Sequence, residues 1–218
     1  MGKSRWLRRL GVIALAGLGL GVGARAQVNP PIAKNVPTPE QQAPSVWGGR
    51  FVVIASGSMQ FASATTANSE PLSTTNVAGF QLGLLTHINQ YNAFEFRVSG
   101  AEPRQTYGSN LFATSFNTTY SFDYVFTDPT GDWWRPFLLV GASYLKYHPV
   151  GSNNTAGAGN QNRPGIDYGG GLDFLIRKNI SLRVEYREIL YKVPDFDLIN
   201  INKWNRMPIP DIGLAWHF

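Results

Sequence analysis

Residues 180–187 read "ISLRVEYR". Every second residue is apolar (Ile180, Leu182, Val184, Tyr186), and the residues between are polar or charged (Ser181, Arg183, Glu185, Arg187). A period of two puts these sets on opposite faces of a β-strand. A helix would need apolar spacings of three and four.

The pattern recurs on both sides of this stretch. "AFEFRVSG" sets Phe94, Phe96 and Val98 against Glu95, Arg97 and Ser99. "FNTTYSFDYVF" sets Phe116, Tyr120, Phe122, Tyr124 and Phe126 against Asn117, Thr119, Ser121 and Asp123. "IDYGGGLDFLI" sets Ile166, Tyr168, Leu172, Phe174 and Ile176 against Asp167, Gly169, Gly171 and Asp173. Four further strands are less sharp. "RFVVIASGSMQFA" opposes Phe51, Val53, Met59 and Phe61 to Arg50, Ser56, Ser58 and Gln60. "GFQLGLLTH" opposes Phe80, Leu82 and Leu84 to Gln81 and Gly83, and "RPFLLVGASYLKY" is apolar on both sides at its centre. The final "DIGLAWHF" opposes Ile212, Leu214, Trp216 and Phe218 to Asp211, Gly213, Ala215 and His217.

These eight strands are joined by connections that alternate in length. Long ones span 63–76, 102–110, 148–165 and 188–206, and short ones fall near Asn89–Asn92, Thr127–Asp132 and Arg177–Asn179. Long loops on one side and tight turns on the other are the pattern of an up-and-down transmembrane β-barrel, with both chain ends on the short-turn, periplasmic side. The expected fold is therefore all-β, an eight-stranded antiparallel up-and-down barrel. Trp47, Tyr91, Phe126, Trp133, Trp134, Trp216 and Phe218 fall at the short-turn ends, where an aromatic girdle meets the headgroups. Phe61, Tyr107, Phe112, Tyr144, Tyr147 and Tyr191 offer an opposite belt.

The first 26 residues read as a cleaved leader: a basic start (Lys3, Arg5, Arg8, Arg9), an apolar run over 10–22, and a small-x-small site at Ala24-Arg25-Ala26. Residues 27–45 are rich in Pro and polar residues and read as a poorly ordered lead-in, leaving 46–218 for the barrel. Five of the 19 Lys and Arg (Lys3, Arg5, Arg8, Arg9, Arg25) and none of the 14 acids precede residue 27. The remainder is formally neutral, so the chain's positive charge does not point to nucleic acid. There is no cysteine, which excludes disulfides, thiolate metal sites and a lipoprotein anchor.

The last residues fit a polar-x-Gly-x-x-aromatic-x-aromatic pattern through Asp211, Gly213, Trp216 and Phe218. This resembles the C-terminal assembly signal of outer-membrane barrels, an edge strand recognised by the barrel assembly machinery. With "RPFLLVGASY" and "ISLRVEYR" as central and penultimate strands, residues 46–218 resemble small outer-membrane barrels of the OmpA/OmpX/Opa-like superfamily. The resemblance implies residence in the outer membrane of a Gram-negative-type bacterium, among outer-membrane lipid and lipopolysaccharide. It also implies periplasmic chaperones and the barrel assembly machinery as partners during biogenesis. It implies no catalytic residues, cofactor or metal.

An eight-stranded barrel is just wide enough for side chains to fill it. The expected inward faces carry Arg50, Arg97, Arg135, Arg183 and Arg187 against Glu95, Asp123, Asp167, Asp173, Glu185 and Asp211, with His217 near the periplasmic mouth. Unpaired buried charge is costly, so these groups should pair into a plug. Gly169, Gly171 and Gly213 would leave room for the arginines. The bland reading is a lumen filled to hold up a scaffold that presents long loops to an unidentified partner. The alternatives are a narrow polar path for water or ions and, behind it, a lipid-A-modifying enzyme using His148 near Ser143 and Ser152. His87, His148 and His217 match no metal-ligand spacing. Asp195-Phe196-Asp197 is more readily a solvated loop pair than a cation site. Residues 188–206 are unusually apolar for an exposed loop, which suggests extended strands, a cap over the mouth or a contact surface.

Overall fold

The alternating segments become strands because each then turns its apolar set to one side and its polar set to the other. In the computed structural model, residues 49–61, 65–67, 70–107, 111–150, 159–195 and 203–218 are described. The leader, the Pro-rich lead-in and Trp47 lie outside them. The strands are β1 (Phe51–Gln60), β2 (Thr65–Ala67), β3 (Glu70–Thr74), β4 (Val77–His87), β5 (Asn92–Ala101), β6 (Arg104–Tyr107), β7 (Leu111–Thr127), β8 (Trp134–Pro149), β9 (Gln161–Arg177), β10 (Ile180–Lys192) and β11 (Trp204–His217). Eight of them form a ring in the order β1-β4-β5-β7-β8-β9-β10-β11, and β11 returns to β1 with Val52 opposite His217 and Ser58 opposite Asp211. Every pairing is antiparallel.

The other three strands lie where the sequence suggested long open connections. β3 continues the line of β4 and β6 that of β5, and the two pair with each other as their parents do. Pro103 has no N–H to give to a ladder, so pairing breaks at 102–103 and resumes beyond it. Thr75 N donates to Arg104 O at 2.9 Å across that break. The loops expected over 148–165 and 188–206 are shortened in the same way, since β8 reaches Pro149, β9 starts at Gln161, β10 reaches Lys192 and β11 starts at Trp204.

The short turns are built locally. Asn89 Oδ1 accepts from the backbone N–H groups of Tyr91 (2.9 Å) and Asn92 (3.0 Å), and Asp128 Oδ1 accepts from Thr130 N at 3.0 Å. Such side-chain turns suit tight connections. At the seam, Phe218 N donates to Phe51 O at 2.8 Å. Gly49 has φ +94° and its Hα lies where a Cβ would collide with the Phe218 carbonyl, so only glycine fits there.

The outward faces are apolar and exposed: Leu82, Phe122 and Leu138 are 57%, 56% and 59% exposed, while their strand neighbours are buried. Water would not tolerate so continuous an apolar surface on a monomer, whereas lipid requires it. Tyr91, Phe126 and Trp133 are exposed at the short-turn end, and Trp133 packs 6.4 Å from Trp134 and 5.9 Å from Phe174. At the opposite end Phe61 and Tyr144 face outward. Two expected members of that belt do not. Tyr147 and Tyr191 are buried inside the ring, because their positions in β8 and β10 share the inward parity of Arg135 and Arg187.

Candidate functional site: the barrel lumen

The lumen is filled in three layers. At the short-turn end, Val52, Ile54, Leu85, Ala93, Val125, Phe137, Leu139 and Ala215 form a buried apolar cluster. At the other end, Ala113, Leu145, Tyr147, Ile189, Tyr191, Val193, Met207 and Ile209 form a second. Between them lies a layer of charge.

Three arginines organise that layer. Arg97 on β5 donates from Nε to Glu95 Oε1 at 2.7 Å, from Nη1 to Gln81 Oε1 at 2.7 Å and from Nη2 to Glu185 Oε2 at 2.9 Å; Nη1 also reaches Asp211 Oδ2 at 3.3 Å. Arg183 on β10 donates from Nη2 to Glu95 Oε2 and from Nε to Glu185 Oε2, both at 3.1 Å, and lies 3.6 Å from Asp173. Arg187, two residues on, donates from Nη1 to Asp123 Oδ2 at 2.8 Å and Asp167 Oδ2 at 3.2 Å, and from Nε to Glu185 Oε1 at 3.1 Å. Glu95, Asp123 and Asp167 are fully buried.

The register explains why the arginines reach so far. Glu95 stands directly opposite Asp123, and Glu185 opposite Asp211. Like charges in those positions repel. Each acidic pair is relieved by an arginine reaching it from elsewhere in the ring: Arg97 from β5 to Glu185 and Asp211, Arg183 and Arg187 from β10 to Glu95 and Asp123. The network therefore ties non-adjacent strands together through the interior. Phe137 joins the apolar cluster at the short-turn end to it. Its ring takes the space where a Cβ on Gly171 would stand, and the Arg183 guanidinium carbon lies 3.8 Å from its centre. At Gly171 the sequence suggested room for an arginine; the room is used by Phe137, on which the arginine then stacks.

Two of the eleven residues assigned to this network stand apart from its centre. Arg50 has the inward parity but precedes β1, is exposed, and is in no ion pair among the described residues, because the wall ends before it. Arg135 is buried opposite Asp173 in the β8–β9 register, nearer the short turns. Of those eleven residues, four inward arginines thus face six carboxylates. In the assembly pattern, Asp211 faces the lumen, Trp216 outward parity, Gly213 the backbone of Ala55 and Ser56, and Phe218 lies exposed at the seam.

The catalytic arrangement weighed from sequence does not assemble. Ser143 is buried inside while His148 is exposed outside, since an odd separation along a strand puts them on opposite faces; Ser152 lies outside the described residues. Asp195 is taken by Arg163 at 3.0 Å and by Gln161 Nε2 at 2.6 Å, and Asp197 lies outside the described residues. A different pair does meet: Ser181 Oγ lies 2.9 Å from His217 Nε2. They sit by a cavity of about 20 Å³ lined by His87, Thr127, Arg135, Asp173, Arg183 and His217, roughly the room of one water. Among the described residues no three His, Cys, Asp or Glu side chains are grouped to hold a metal. Reading the histidines as isolated missed that parity brings His87 and His217 to one mouth.

A family model described as "Outer membrane protein beta-barrel domain" matches residues 36–207. Among solved structures, Neisserial surface protein A is similar at 14% identity and TM-score 0.57, over 78% of this chain and 98% of that one. The outer membrane protein OprG from Pseudomonas aeruginosa is similar at 11% identity and TM-score 0.56, over 78% and 97%. At these identities the likeness is one of fold. No curated protein matches the chain.

Proposed function

As this chain belongs to the outer membrane protein beta-barrel domain family, we propose that it is a non-enzymatic barrel that stiffens the bacterial outer membrane and presents its extended rim outward, with its lumen held shut. The observation that carries this reading is a layer of paired charge that ties strands across the interior, with an apolar cluster on either side of it. Ion pairing closes the charged layer on itself, and the apolar clusters on either side shrink the polar lining that hydrated ions need. Residues 1–26 serve as the export leader, and Asp211, Gly213, Trp216 and Phe218 as the signal read by the assembly machinery. Mass spectrometry of protein taken from outer membranes checks the first part: the mature chain should begin at Gln27.

The test is electrical. The folded barrel, verified by altered electrophoretic migration before boiling, should give no reproducible conductance in planar bilayers. A narrow polar path is the second reading, favoured by inward groups that take no hydrogen bond among the described residues: the Ser56, Ser58 and Ser143 hydroxyls and Asp211 Oδ1. On that reading, steady single-channel steps appear, prefer cations because acids outnumber inward arginines, and change when Arg97 is replaced by Met.

A further inference from the structure

The seam between β1 and β11 is made in two unlike halves. From Val52 opposite His217 to Ser58 opposite Asp211 the two strands form an unbroken ladder. Both strands extend further, β1 to Gln60 and β11 from Trp204, and β11 stays paired with β10 up to the Lys192–Trp204 pair. The ladder to β1 nevertheless stops at Asp211. The cause is covalent. Phe51 N donates to Phe218 O at 3.4 Å and Phe218 N to Phe51 O at 2.8 Å. Such exchanging positions recur every second residue of an antiparallel pair, so residues 210 and 208 should also aim their N–H groups at β1. Both are proline and have none. Position 206 is withdrawn too, because Arg206 N donates to Asn205 Oδ1 at 2.8 Å. Phe61 N still reaches Pro208 O at 2.9 Å, but the return bonds from β11 are missing.

The weak half faces lipid on one side and a chamber on the other. Pro210 lies opposite Tyr186 and Pro208 opposite Glu188, while Ile180 pairs with Trp216 at the short-turn girdle. Along a tilted strand the two prolines stand about 15–20 Å from that girdle, in the outer half of the apolar band. Met59 and Phe61 are exposed on the outside of this stretch, and Gln60, Met207 and Ile209 are buried on its inside. Directly behind is a cavity of about 10 Å³, the room of one water, whose lining includes Gln60, Gln105, Asn117, Tyr147, Tyr191 and Met207. Among the described residues no charged side chain lines it. Gln60 Oε1 is buried there and takes no hydrogen bond among the described residues. Gln60 and Met207 thus belong to both the seam and the cavity.

We propose that the seam parts above Asp211 while staying zipped below it, and that it admits a small uncharged amphiphile from the outer leaflet, whose hydroxyl or amide N–H donates to Gln60 Oε1. The apolar part of such a molecule passes between Met59, Phe61 and the two prolines, which ask for no polar partner. A charged molecule is refused twice, by the lipid and by a chamber that holds no counter-charge. The path ends on the loop side of the ion-pair layer, among residues of the upper apolar cluster. It therefore goes beyond the scaffold reading, rests only on outer-membrane residence, and does not need the lumen to conduct.

The chain has no cysteine, so Met207→Cys places a single thiol in the chamber. With the full folded barrel in phosphatidylcholine vesicles, that thiol should react with N-phenylmaleimide, which is uncharged and enters lipid, and resist a sulfonated maleimide confined to water. Adding Pro208→Ala/Pro210→Ala, which returns two N–H groups to the seam, should slow the reaction about 10-fold. 2-Naphthol, with a hydroxyl to donate, should protect the thiol, naphthalene should not, and Gln60→Leu should abolish the protection. An inert thiol, an equal rate with and without the prolines, faster reaction with the sulfonated reagent, or equal protection by naphthalene overturns the proposal. The heat-dependent gel shift, unchanged in each variant, separates these results from a failure to fold.

Discussion

The same eight strands carry two surfaces that obey different rules. Outside, Leu82, Phe122, Leu138 and Ile212 meet a solvent that accepts any apolar shape. Inside, Glu95, Arg97, Arg183, Glu185 and Arg187 meet named partners at hydrogen-bond distance. The contrast is between a face specified by its solvent and a face specified by pairing. The first should tolerate exchange within a chemical class, and the second should not.

The sharpest way to break that contrast is to delete one interior charge. Arg183→Met leaves Glu95, Glu185 and Asp173 short of a donor and should cost about 3–5 kcal/mol, read from urea unfolding in micelles by tryptophan fluorescence. A loss below about 1 kcal/mol would make the network ornamental. Leu145→Ala, in the upper apolar layer, should cost roughly 3 kcal/mol as a cavity. On the outside, Leu138→Arg should cost about 2–4 kcal/mol in bilayers, the depth-dependent toll of a charge facing lipid. The finest comparison is a pair of isomeric swaps. Ile54→Leu inside should lose up to about 1.5 kcal/mol, while Leu82→Ile outside should stay within about 0.5 kcal/mol. Equal effects for the two would erase the distinction between faces.

Parity and charge made much of this visible in advance. "ISLRVEYR" alternates strictly, so the sequence assigns Arg183, Glu185 and Arg187 to one side, and the turn residues at Asn89 and Asp128 mark the tight ends. What parity could not supply is depth. Arg50 alternates correctly yet lies beyond the wall, and Tyr147 and Tyr191 sit at belt height yet point inward. Equating apolar with lipid-facing also hid the two interior apolar layers. The clue was in "RPFLLVGASYLKY", apolar on both sides because Phe137, Leu139 and Leu145 face in while Leu138 and Val140 face out. Pairing partners were not legible at all. Arg97 and Glu185 are brought together by the closing of the ring, a long-range property that no local pattern encodes.

The join between β1 and β11 unites the earliest and latest ring strands. Closing so wide a loop demands the greatest sacrifice of chain freedom of any pairing in the molecule. Until it happens, the newborn sheet has two bare margins, each a template for a stranger's strand. Timing is therefore written into the topology: a half-made ring is a sticky object, and an escort that shields those margins until the final strand arrives would decide between one closed ring and a tangle of many chains.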